Sequence, residues 1–135
     1  MPEILIDTNI IMHLFDTSEP AQTEKSKRLF EAAKSGQITL IIAPPALFEV
    51  AWVLKSALKR SNGEALDVLE AITSWPGVKV LDKDKTRQAI ALAKQRNSGF
   101  ADSYLAVTAQ DMALAVATFN ERHFKKLDVS LYNLQ

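Results

Sequence analysis

The sequence predicts a three-layer α/β/α fold around a central, mostly parallel sheet of four to five strands. Short apolar runs alternate with segments of helical spacing along the whole chain. Strands that alternate with helices imply a parallel sheet covered on both faces. The 135 residues, 47% of them hydrophobic, suffice for one domain with a real core, spanning residues 1–135.

Residues 3–7 form a short apolar run that reads as a buried strand ending at Asp7. Residues 8–15 follow as a short helix capped by Asp7 or Thr8. Ser18-Glu19-Pro20 opens the next helix, where proline's missing N–H costs nothing, and Gly36 ends it. Residues 38–42 are the second buried strand, closed by Pro44-Pro45. Leu47, Val50, Ala51, Leu54 and Leu58 then recur at helical spacing. Asn62-Gly63 ends that helix, and another runs over residues 64–74. Residues 78–81 make a third, short strand after the Pro76-Gly77 turn. Residues 83–96 and 100–110 read as helices separated by Asn97-Ser98-Gly99. Residues 114–118 are a fourth buried strand, residues 120–127 a helical turn, and residues 130–132 a last edge strand.

Composition excludes several classes of function. The formal net charge is zero, which argues against coating nucleic acid by bulk charge. A basic rim around an acidic pocket is compatible with that average. The absence of cysteine rules out disulfides and thiolate zinc sites. The first residues have neither the basic stretch nor the apolar region of a signal peptide. The longest apolar stretch, residues 38–54, is broken by Pro44-Pro45 and carries Glu49, so it is a poor membrane span. These features lead to the expectation of a soluble cytoplasmic protein.

Three carboxylates occupy similar positions. Asp7 ends the first predicted strand, Glu49 lies near the start of the helix after the second, and Asp102 lies in the first turns of its helix. Asn120 is the matching polar group after the fourth strand. In an open α/β sheet, ligands bind beyond the carboxyl ends of the strands. If strands one, two and four are parallel neighbours, these residues converge at one sheet edge. Carboxylates from separate elements make an open site for Mg²⁺ or Mn²⁺, which prefer hard oxygen ligands and retain waters. Each residue also has a structural explanation. Asp7 can serve as a helix cap, and Glu49 and Asp102 are favoured near helix N-termini by the macrodipole.

Four segments together resemble the PIN-domain family, and in size and layout its VapC-type toxins. They are Ile4-Leu5-Ile6-Asp7-Thr8-Asn9-Ile10-Ile11, Pro45-Ala46-Leu47-Phe48-Glu49-Val50, Phe100-Ala101-Asp102-Ser103-Tyr104-Leu105-Ala106 and Ala117-Thr118-Phe119-Asn120-Glu121-Arg122-His123-Phe124. The resemblance implies a Mg²⁺- or Mn²⁺-dependent endoribonuclease, a homodimer, and neutralisation by a cognate antitoxin protein. It implies Asp7, Glu49 and Asp102 as catalytic metal ligands, with Thr8, Asn9 and Thr118 supporting the site. The chain departs from the family at Asn120, where a fourth acidic residue is usual. An amide can accept from a metal-bound water or donate to a phosphate, but it brings no negative charge, so weaker metal binding is expected. Glu121, next along, points about 100° away if the segment is helical.

Arg122, Lys125 and Lys126 follow Asn120 directly and are candidate RNA contacts. Other basic groups read as a solvated face, His123 as surface decoration, and His13 as a partly buried, satisfied histidine. Phe48 and Trp52 read as packing residues in the core or a dimer contact. The leading reading is therefore a toxin ribonuclease in which metal-activated water attacks an RNA phosphodiester. The alternative is a catalytically weakened module that binds RNA or an antitoxin. A phosphoacceptor receiver domain would need an acidic pair near the first strand, which Asp7-Thr8-Asn9 lacks.

Overall fold

The computed structural model describes residues 2–134. Three short strands, β1 (Glu3–Leu5), β2 (Thr39–Ile42) and β3 (Val78–Val80), form a parallel sheet in the order β1-β2-β3. Between and after them lie helices α1 (Thr8–Met12), α2 (Pro20–Lys34), α3 (Pro44–Ser56), α4 (Asn62–Ile72), α5 (Lys83–Arg96), α6 (Phe100–Met112) and α7 (Glu121–Lys125). The α/β class with a parallel sheet is the one the alternation predicts.

The strand register explains the burial. Ile4, Leu40 and Val78 are paired across the sheet, as are Leu5, Ile41 and Lys79. Paired residues share a face, and alternate residues point to opposite faces. Leu40 and Ile42 on the central strand are fully buried, whereas Leu5 is 67% exposed. The first strand was expected to be buried, yet all three of its residues are exposed. The reason is its place at the sheet edge, with a neighbour on one side only.

The sheet has three strands where four to five were expected. Residues 114–118 form no strand, and neither do residues 130–132. Val116 and Leu131 meet only as an isolated parallel bridge. Leu-Ala-Val-Ala-Thr has strand composition, but a strand exists only through its partners. Here that segment makes only the single bridge from Val116 to Leu131.

The helices follow the expected boundaries closely, with one instructive shift. Asn62 and Gly63 were read as a break, but they are the first residues of α4. Ser61 is its cap, and Ser61 with Glu64 forms a reciprocal capping box. Pro20 and Pro44 sit in the first turns of α2 and α3, where no N–H is missed. The main core joins the sheet to α1, α3, α4 and α5 through Ile11, Leu47, Val50, Leu54, Leu66, Leu69, Ile72 and Ile90, among others. A separate small cluster of Ala106, Phe124 and Leu127 anchors α7 to α6. Among the described residues, no helix is long and apolar enough to cross a membrane.

Candidate active site

Asp7 sits where the chain leaves β1 and enters α1. It is the N-cap of that helix, with extended backbone, and its Oδ1 accepts the Thr8 N–H at 2.7 Å. Its side chain remains exposed. Thr8 is buried, 5% exposed, and its hydroxyl donates to Glu49 Oε2 at 3.0 Å. Glu49 lies in the second turn of α3 and is exposed at the surface. A single buried threonine thus joins two carboxylates from different elements. Asn9, next on α1, is exposed beside them in sequence.

Asp102 occupies the first turn of α6. Its partner is His123 on α7, with Nδ1 and Oδ2 at 3.5 Å. Thr118 is half-buried, and its Oγ1 accepts the Asn120 N–H at 2.9 Å, fixing the entry to α7. Asn120 takes the cap position of α7, but its side chain makes no capping hydrogen bond. Glu121, Arg122 and Lys125 are exposed, and the Lys126 ammonium donates to the Asn97 carbonyl at 3.0 Å.

Of the four acidic or amide positions, Asp7 and Glu49 are joined through Thr8, Asp102 meets His123, and Asn120 is held through Thr118. Among the described residues, no hydrogen bond or ion pair links Asp102 or Asn120 to Asp7 or Glu49. Nor do three His, Asp or Glu side chains gather closely enough to hold a metal ion. The two halves are nevertheless bridged by packing. Phe48, adjacent to Glu49, stacks obliquely on Phe100 and edge-on to Tyr104, both with centroids at 5.0 Å. A cleft of about 590 Å³ lies between α3 and α6, with Phe48, Trp52 and Lys55 on one wall and Phe100 and Asp102 on the other.

The donor chemistry fits a hard divalent cation in part. Mg²⁺ is commonly held by one or two carboxylates and keeps several waters. Asp7 and Glu49 present exposed carboxylates that are oriented by Thr8. They supply such a partial set.

Three features were not anticipated from the sequence. The Thr8–Glu49 hydrogen bond and the His123–Asp102 contact each join residues far apart in the chain, and no local pattern announces such pairings. Phe119, within a segment already singled out, is 96% exposed. Of the two residues read as packing in the core or a dimer contact, Phe48 packs against the core and Trp52 is 69% exposed, which excludes only its core placement. His13 is half-buried as expected, but its Nδ1 lacks a partner among the described residues.

The family model described as PIN domain matches residues 4–130. No curated protein matches the chain. Among solved structures, FitAcB from Neisseria gonorrhoeae shares 23% identity over 96% of both chains, with a TM-score of 0.32. FitAB bound to an IR36 DNA fragment shares 21% identity over 96% of this chain and 94% of that one, with a TM-score of 0.35. VapBC2 from Rickettsia felis, bound to a DNA fragment from its promoter, shares 18% identity over 98% of both chains, with a TM-score of 0.36. The match of the family model along nearly the whole chain, through the segments that carry Asp7, Glu49 and Asp102, shows that this chain belongs to the PIN domain family.

Proposed function

We propose that this PIN domain is a Mg²⁺- or Mn²⁺-dependent endoribonuclease, the toxin of a toxin–antitoxin pair. The observation that carries the reading is the Asp7–Thr8–Glu49 junction, where a buried hydroxyl holds two exposed carboxylates from separate elements. Membership of a family of nucleases supports hydrolysis as the reaction class. The resemblance to VapC-type toxins supports RNA as the substrate, a cognate antitoxin as the partner, and a homodimer as the assembly.

In the proposed reaction, water attacks phosphorus in line. The P–O3′ bond breaks, the leaving oxygen takes a proton, and the products carry a 5′-phosphate and a 3′-hydroxyl. A divalent cation, when bound, supplies an acidified water and offsets charge on the phosphate. Asp7 and Glu49 are the residues that would hold it. Thr8 fixes the Glu49 carboxylate, and the Asp7 oxygen that receives the Thr8 N–H fixes the other. His123 holds Asp102, and Thr118 holds the backbone at Asn120.

A second reading has its own support. Asn120 brings no charge where a fourth acidic residue is usual in the family, which favours a weakened nuclease that binds RNA or antitoxin without efficient cleavage. One digestion series separates the two. Structured RNA is incubated with wild type, Asp7→Asn, Glu49→Gln and Asn120→Asp, in Mn²⁺, Mg²⁺ or EDTA. The ribonuclease reading expects wild-type cleavage that EDTA stops and that falls at least 100-fold in Asp7→Asn and Glu49→Gln, the upper range for loss of metal-site groups. Wild-type inactivity with cleavage by Asn120→Asp establishes the weakened module instead. Cleavage that survives EDTA and Asp7→Asn overturns the metal site.

A further inference from the structure

We infer that the turn between residues 118 and 126 is a single-stranded RNA subsite, in which Phe119 stacks an unpaired base and Arg122 and Lys125 hold flanking phosphates. This rests on the ribonuclease reading and assigns to it the residues that grip the strand. Phe119 is almost wholly exposed, at 96%, although apolar aromatic side chains are usually withdrawn from water. It has no ring partner among the described residues. A cleft of about 610 Å³ beside it is lined by Arg122, Lys125, Lys126 and Glu121. Three cations against one carboxylate leave that cleft positive in a chain whose net charge is zero.

The cations are also available. Lys94 is engaged by Asp67 and Glu70, and Arg96 by Asp128. Arg122 and Lys125 have no ion pair or hydrogen bond among the described residues, while Lys126 spends one donor on Asn97. An exposed ring beside unpaired cations is the arrangement that binds single strands, since every base offers a face and phosphates follow at regular intervals. In a duplex the bases are stacked on one another, so the ring gains nothing there. The same short helix carries His123, which touches Asp102. A strand held on this turn therefore lies on the element that touches Asp102.

The test is fluorescence anisotropy with a 5′-labelled mixed-sequence RNA of about 12 nucleotides, single-stranded or annealed to its complement, in EDTA so that nothing is cut. The single strand is expected to bind more tightly than the duplex. Phe119→Ala should weaken single-strand binding about tenfold and leave duplex binding unchanged, with Phe119→Tyr restoring it. Arg122→Ala and Lys125→Ala should weaken both probes and flatten the salt dependence by about 0.7 per lost contact for the single strand. Phe119 is exposed, so the substitution leaves folding intact, and circular dichroism checks this. Unchanged single-strand binding in Phe119→Ala overturns the subsite, and parallel cleavage of the same RNA in Mn²⁺ shows that the nuclease reading survives. A wild type that neither binds nor cuts RNA overturns both.

Discussion

At the scale of single residues, Asp7 combines an observed role with a proposed one. One of its oxygens caps α1 through the Thr8 N–H, a structural task common to strand-ending aspartates. Its exposed carboxylate is left to a ligand. Thr8 separates the structural from the functional contribution, because its hydroxyl serves Glu49 and not the helix. Thr8→Val keeps the shape and removes only that donor. Glu49 is exposed and regains water, so the melting midpoint should stay within a few degrees of wild type. RNA cleavage should fall about 10-fold, with a higher Mn²⁺ concentration needed for half-maximal rate, as for other groups that orient a metal ligand. Thr8→Ser should restore both. Equal activity of Thr8→Val and wild type would mean that Glu49 needs no positioning. The residue identities at this site were legible in the sequence as matched segments. The threonine bridge was not, because a contact between α1 and α3 depends on how the two helices cross, which no local pattern encodes.

At the scale of elements, α4 shows how a short signal sets a boundary. The Ser61 hydroxyl accepts the Glu64 N–H at 3.1 Å, and Glu64 Oε1 accepts the Ser61 N–H at 2.9 Å. Ser-x-x-Glu before an apolar run is a sequence signature of this motif, and it outweighs the turn tendency of Asn62-Gly63. The hydrogen bond from the Ser61 backbone, then that with its side chain, holds the Glu64 carboxyl below its ordinary value of 4.5. A carboxyl lowered in the folded state adds stability above pH 4.5 and loses it as pH falls through the folded value. Glu64→Gln should therefore melt about a degree below wild type at neutral pH, and the two curves should converge in more acidic buffer. A gap that persists unchanged at acid pH would remove the charge from the account. The helices were readable because their caps and spacings are local. Residues 114–118 were misread for the opposite reason: their alternating small and branched side chains suit a strand, but the partner strand is chosen by the rest of the fold.

At the scale of the whole molecule, the apolar interior falls into two unequal parts. The main core links the sheet with α1, α3, α4 and α5, and the second part is only Ala106, Phe124 and Leu127 with a few half-buried neighbours. Leu69 and Leu127 are both fully buried, yet their surroundings differ in extent. Leu→Ala in a core costs about 2–5 kcal/mol, and the value falls where neighbours can close the gap. Leu127→Ala should lie at the low end of that range and Leu69→Ala at the high end, measured by urea denaturation. Small satellite clusters also open before the whole molecule does. In native-state hydrogen exchange, the Phe124 and Leu127 amides should exchange through openings of lower free energy than those of Leu40 and Leu69. The functional consequence follows from what α7 carries. Arg122, His123 and Lys125 ride on the helix held by the small cluster, whereas Asp7, Thr8 and Glu49 belong to the elements of the main core. The basic turn can then shift to admit a strand while the carboxylate pair stays fixed. Slow exchange at Phe124 and Leu127, equal to that at Leu69, would make the molecule one cooperative unit and leave the basic turn no independent motion.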